Sequence, residues 1–204
     1  MMEPLLADSF IRFGSSQYWV ILLALFFCRS MDILSTLIAT PNLVLEGNPI
    51  AKLFGWRWLL PINVAVCVAL AAWPLPAIML GTMSLLVAAR NFQSAWLMRS
   101  LGEEVYRAWH VRRVQETRVT LYLFCLAGET GLIAAIGAVI IFFSDSVVLL
   151  GIGWGMAGYA SAVALYILLA RWRMRRVSIR KSRRAAMEDE TLIALPGSPQ
   201  PEGK

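Results

Sequence analysis

The chain has 204 residues, of which 58% are hydrophobic and 16% charged, and its formal net charge is +6. A soluble domain carries about 25% charged residues, so this composition excludes an ordinary water-soluble fold and indicates an all-α integral membrane protein. No segment alternates polar and apolar residues like a barrel strand, so each span is expected to be a helix, which satisfies its own backbone groups in lipid.

The N-terminal segment, residues 1–17, carries Glu3, Asp8 and Arg12 and lacks the basic start and short apolar core of a cleavable signal. The first span is therefore expected to be an uncleaved anchor. It runs from Tyr18 to about Thr40, and Pro41 is a natural stop because the residue before a proline avoids helical geometry. Within it Arg29, Asp32, and Ser35 or Thr36 recur at three- and four-residue spacing and share one face. Charges at membrane depth are costly unless paired or turned to a protein interior, so this face is a candidate site. Two readings follow. Arg29 neutralises Asp32 while the hydroxyls bond back to their own helix, or Asp32 acts as a ligand or proton acceptor in a polar cleft.

The loop from Pro41 to Arg57 contains Glu46-Gly47-Asn48-Pro49, a run of turn formers, and then Lys52, Trp56 and Trp58 at interface depth. Glu46 and Asn48 are the residues that would close the cleft. The pattern D-x3-T, present as Asp32 to Thr36, followed by E-x-N-P, present as Glu46, Asn48 and Pro49, resembles that of a family of small, uncharacterised bacterial and archaeal multi-pass membrane proteins. The resemblance covers about Arg29 to Trp73. It implies Asp32, Thr36, Glu46, Asn48 and Pro49 as shared positions and brings no assigned activity; Arg29 is not among them.

Trp58 to Ala89 is long for one span and short for two. Trp73-Pro74-Leu75-Pro76 removes two backbone donors, which favours a tight turn between a second span, Trp58 to Trp73, and a third, Ala77 to about Leu97. A single kinked helix would give four spans in place of five. Arg90 and Asn91 interrupt the third span, where Arg90 either snorkels to the interface or is the counter-charge for Asp32 or Glu46. In the arginine-rich connector 99–118, Leu101, Val105, Ala108 or Trp109, and Val111 or Val114 recur with helical periodicity. This is an amphipathic helix on the membrane surface, with Glu103–Arg107 and Arg112–Glu116 as pairs four residues apart.

The fourth span, Val119 to Phe143, and the fifth, Val147 to Ala170, flank a short turn at Ser144-Asp145-Ser146. Glu129 lies among small residues with no base within one turn, and is expected to stay neutral and bond to a neighbouring helix, with proton transfer or a subunit contact as the alternatives. Gly131 with Ala135, and Gly151, Gly155 and Gly158 with Ala162, have the spacing of close helix approach. Cys28, Cys67 and Cys125 form no C-x-x-C pair and are expected to be small packing residues, with neither a disulfide nor a metal site. The tail 171–204 opens with Arg171, Arg173, Arg175 and Arg176, a juxtamembrane patch for anionic lipid headgroups, and is expected to be disordered from Met187. Positive charge after a last span is already required by topology, so nucleic acid is not expected as a partner.

With five spans the Pro41–Arg57 loop, the connector and the tail share the basic side, which the positive-inside rule makes cytoplasmic, leaving the N-terminus outside. With four, the Glu46–Pro49 loop changes sides. His110 is the single histidine, which disfavours a histidine zinc site, a serine triad and a bis-histidine haem, and no phosphate-binding glycine loop occurs. No cofactor is expected. The leading expectation is a non-enzymatic structural, assembly or binding component of a prokaryotic inner membrane, working with lipid and other membrane subunits. The alternative is a membrane-embedded enzyme or transporter around Asp32, Glu46 and Asn48, with Arg29, Arg90, Asn91 and Glu129 as further partners.

Overall fold

The computed structural model describes residues 10–42 and 49–193, with side chains described for 10–42 and 55–172. Glu46 and Asn48 therefore lie outside the described residues, as do the side chains of Pro49, Arg173, Arg175 and Arg176. Among the described residues the chain is all-helical: α1 Ser16–Ala39, α2 Pro49–Leu70, α3 Pro74–Leu101, α4 Glu103–Glu116, α5 Val119–Phe143 and α6 Val147–Ile193. Four helices, α1, α3, α5 and the Val147–Trp172 part of α6, are long and apolar enough to cross a membrane. The described residues up to Ala164 form one compact unit and those from Leu165 a second, which holds the last part of α6.

Local chemistry explains the helix ends. Ser15 caps α1, its hydroxyl accepting from the Tyr18 amide at 3.2 Å, and the helix stops where Thr40 N–H closes on the Thr36 carbonyl just before Pro41. Inside α2, Gly55 has φ 62°, so the chain kinks there and the continuous apolar helix is Gly55–Leu70, starting before the expected Trp58. The prolines act differently from expectation. The break falls at Ala71–Trp73, and Pro74, Leu75 and Pro76 form the first turn of α3, where amide groups have no intrahelical partner to lose. Trp58 to Ala89 is thus two helices. The connector splits at Gly102, φ 80°, and α4 buries Tyr106 and Val114 while Val105 and Trp109 stay exposed. α6 remains helical to Ile193, past the Met187 where disorder is expected to begin.

Side-chain contacts fix the directions. Trp56 Nε1 donates to the Pro41 carbonyl at 3.0 Å and the Tyr18 hydroxyl to the Val68 carbonyl at 3.1 Å, so α2 runs antiparallel to α1. α3 runs parallel to α1: Gly81 sits against Cys28, Ser84 against Arg29, and Asn91 against Ser35 and Thr36. Two parallel neighbours in one chain need a return along the bundle between them, and the straight part of α2, roughly 24 Å long at 1.5 Å per residue, makes it. Gly151, Gly155 and Gly158 of α6 pack on Ile78, Thr82 and Met83, so α6 is parallel to α3; Gly153 and Met156 meet Ile141 and Gly137, so α5 is antiparallel to α6. Directions therefore alternate through α1, α2, α3, α5 and α6.

The stripe Ala77, Gly81, Ser84, Ala88 and Ala95 keeps α3 thin where it faces α1. At the Ser16 end, Tyr18, Leu22, Leu25, Cys67, Ala71, Ala72 and Ala77 form a small apolar core. Ile11 N–H seals it by donating to the Ala72 carbonyl at 2.9 Å. At the α5–α6 crossing a Cβ on Gly153 would stand 2.8 Å from the Gly137 carbonyl oxygen, whereas one on Gly131 would meet nothing within 4 Å. Gly131 thus faces away from the packing role expected of it within this chain. Gly153→Ala should destabilise the protein by about 1–3 kcal/mol through forced separation of the helices. Gly131→Ala should be neutral or stabilising by up to about 1 kcal/mol, since it trades glycine for the best helix former. Thermal unfolding of the purified chain in detergent, one variant against the other, measures both.

Candidate functional site

One face of α1 carries Arg29, Asp32, Ser35 or Thr36, and Thr40, each about one helical turn from the next, and the structure turns this face inward. The Arg29 guanidinium opens this face near the middle of α1, about 15 Å from the Ala39 end of the helix at 1.5 Å per residue. Its Nε donates to Asn63 Oδ1 of α2 at 2.8 Å and its Nη2 to the same oxygen. Its Nη1 donates to Asp32 Oδ2 at 2.8 Å and to Ser84 Oγ of α3 at 2.9 Å. All three guanidinium nitrogens are engaged, and two other helices are tied to α1 through one side chain. Asn63 is itself held by donation from Nδ2 to the Leu59 carbonyl at 2.7 Å, which aims its acceptor oxygen at Arg29.

Asp32 belongs to the same cluster. Its side chain is 18% exposed and that of Arg29 21%, while Asn63 and Ser84 are buried. One turn further on, Asn91 Nδ2 donates to Thr36 Oγ1 at 3.2 Å and to Ser35 Oγ at 3.3 Å, and Ser35 Oγ donates back to the Asp32 carbonyl at 2.8 Å. At the helix end Thr40 Oγ1 donates to Glu103 Oε2 at 2.6 Å, and the Asn42 backbone N–H and Nδ2 donate to Glu103 Oε1 at 2.9 and 3.0 Å. Glu103, expected to pair along α4 with Arg107, thus ties the first residue of α4 to the end of α1. Beside it is an open groove of about 550 Å³, lined by Pro41, Asn42, Met98, Arg99, Gly102 and Glu103 among others. The Glu46–Pro49 loop leaves from Asn42, the last described residue before it.

Two residues expected near Asp32 are elsewhere. Arg90 Nη1 donates to Glu129 Oε1 at 2.8 Å, so Glu129, which has no basic residue within one turn of its own helix and is expected to stay neutral, forms an ion pair across α3 and α5. Adjacent residues on a helix point about 100° apart, so Asn91 reaches α1 while Arg90 reaches α5. Sequence spacing does not reveal Asn63, Ser84 or Glu103. Each is a polar residue whose partner lies on another element, and the available signal is a lone amide in the apolar run Pro61-Ile62-Asn63-Val64. Outside the spans, His110 stacks on Tyr106 with ring centres 5.9 Å apart. Partial burial, and then the Arg90 charge, push its pKa below 6.5.

Chemically, the seam is built to hold charge still. Arg29 is bound by acceptors on every nitrogen, and no group of three His, Cys, Asp or Glu side chains among the described residues could hold a metal ion. Removing one acceptor from a desolvated guanidinium is expensive, whereas replacing the whole set by apolar side chains is close to neutral. Asn63→Leu should therefore cost about 3 kcal/mol and Ser84→Ala about 1 kcal/mol. Combining Arg29→Met, Asp32→Leu and Asn63→Leu should recover most of the first loss in the same unfolding assay. The His110 proton gives a pH dependence. Its folded pKa is depressed, so the unfolded chain takes up the proton first and stability falls as pH drops through 6.5, the ordinary histidine value. His110→Gln should flatten that part of the stability profile.

Compared with known proteins, the chain matches no family model, no curated protein and no solved structure.

Proposed function

We propose that this chain is a non-enzymatic, five-span component of a prokaryotic inner membrane, with a structural, assembly or binding role. The observation that carries this reading is the engagement of all three guanidinium nitrogens of Arg29, four of its five N–H groups: a charge inside the bundle is used to join α1, α2 and α3. A catalytic or transporting group turns its hydrogen-bonding capacity toward a substrate, whereas Arg29 spends most of its own on neighbouring helices. The alternative, an enzyme or transporter around Asp32, Glu46 and Asn48, would draw on the groove beside Asn42.

The five-span topology is supported by the alternating helix directions and by the bonds from Thr40 and Asn42 to Glu103, which join the end of α1 to the start of the connector. The first loop, with Lys52 and Arg57, then shares a face with the five arginines of Arg99 to Arg118, and this basic face is cytoplasmic under the positive-inside rule. The N-terminus is outside. Arg171, Arg173, Arg175 and Arg176 contact anionic headgroups of the inner leaflet, each charge contributing about 1 kcal/mol near the surface. The Asp32, Thr36, Glu46, Asn48 and Pro49 pattern supports grouping the chain with the small membrane proteins it resembles, and other membrane subunits are its expected protein partners.

Two measurements test this. Single cysteines at Asn42 and Asp145, in a background lacking Cys28, Cys67 and Cys125, should label from the cytoplasmic and external faces respectively; labelling of both positions from one face removes the five-span topology. The purified chain in proteoliposomes should show neither turnover nor uptake in a broad substrate screen. An activity that disappears in Asp32→Ala or Glu46→Ala would replace this reading with the enzyme or transporter.

A further inference from the structure

The Arg90–Glu129 pair differs in kind from the Arg29 seam. Its side chains are 38% and 44% exposed, although Arg90 stands about 16 Å along α3 from Leu101 and Glu129 about 15 Å along α5 from Val119, at 1.5 Å per residue. Both lie within α3 and α5, helices long and apolar enough to cross a membrane. A guanidinium has five N–H donors, yet among the described residues the Arg90 side chain makes one hydrogen bond, to Glu129 Oε1, and Glu129 makes no other through its carboxylate. Lipid tails cannot supply what is missing.

The adjoining surface of α5 is open to a neighbour. Phe124 is 77% exposed and Leu132 69%, and a Cβ on Gly128 or Gly131 would meet nothing within 4 Å. These residues and the exposed Cys125 lie on the outer side of α5, opposite the buried Leu126, Thr130 and Gly137. Glu129 stands at the rim of this surface. Small residues there would let another helix approach to backbone distance.

We propose that this surface joins two copies of the chain, and that Arg90 of each copy completes its hydrogen bonds on Glu129 of the other. Charge complementarity selects a second copy as the occupant. Two identical chains inserted in the same orientation are related by a two-fold axis along the membrane normal, which maps the patch onto itself at unchanged depth. Each copy therefore brings one cation and one anion to the level where the other has unused acceptors and donors. The four charges form a closed, neutral ring, and α5 packs on α5 through Gly128.

The experiment uses the full-length protein in native membranes, where Cys125 is the exposed thiol of the three and Cys67 is buried. A short thiol-to-thiol crosslinker should give a dimer band of twice the chain mass. Cys125→Ser should abolish it, and Gly128→Leu should reduce it at least tenfold. Separately, Arg90→Glu and Glu129→Arg chains carrying different tags should each fail to self-associate, yet co-purify when expressed together. The proposal is overturned if Cys125 reacts with a membrane-permeant maleimide but yields only monomer, if the crosslinked species has another mass, if Gly128→Leu leaves the dimer unchanged, or if the two charge variants do not rescue one another. The inference rests on membrane insertion. Extraction of the wild-type chain by alkaline carbonate would remove that premise independently of the crosslink.

Discussion

A guanidinium in the middle of an apolar bundle leaves little choice in what surrounds it. Its hydration must be replaced by fixed acceptors in three dimensions, and no single helix can supply them all. Arg29 finds Asp32 on its own helix, Asn63 on α2 and Ser84 on α3, and those bonds fix the register of three helices at once. The remaining seam, Asn91 on Ser35 and Thr36 and then Glu103 on Thr40 and Asn42, extends that register to the end of α1. Without the hydrophobic effect to drive helices together inside lipid, such bonds and close van der Waals contact specify the arrangement.

The close contact is supplied by a second set of residues. Alanine, glycine and serine on α3 keep its α1 side narrow, and the α6 glycines bring that helix to backbone distance from α3 and α5. The two devices have different limits. Small residues permit proximity over a range of rotations, whereas a bifurcated arginine–asparagine contact tolerates only a narrow one. Polar specificity and small-residue proximity together make the three-helix core less able to slide than either alone.

Much of this arrangement is legible in the order of residues alone, for reasons that differ by element. Apolar length reveals the spans, and three- and four-residue spacing reveals that Arg29, Asp32 and Thr36 share a face, because both signals are local. The partners of that face are not legible. Asn63, Ser84 and Glu103 lie 34, 55 and 63 residues from the groups they bond, and a polar side chain does not announce a mate so far along the chain. Glu129 misleads for the same reason, its arginine being 39 residues away. The prolines at 74 and 76 mark a helix boundary, but composition alone does not say on which side of it they fall. The register of α4 is hidden because several apolar stripes compete on one short helix, and packing chooses Tyr106 and Val114.

The spacing of the Arg29 bonds along the chain also sets an order of events in synthesis. Asp32 is three residues away and is made almost together with Arg29, while Asn63 and Ser84 follow 34 and 55 residues later. At a synthesis rate of about 5–20 residues per second, Ser84 arrives roughly 3–10 s after Arg29. Through that interval the intrahelical carboxylate is the nearby counter-charge within α1, so a first helix that inserts ahead of the others does so as a neutral unit. Asp32 thus serves the nascent chain before it serves the folded one, and the two later bonds convert a self-neutralised helix into a joined bundle.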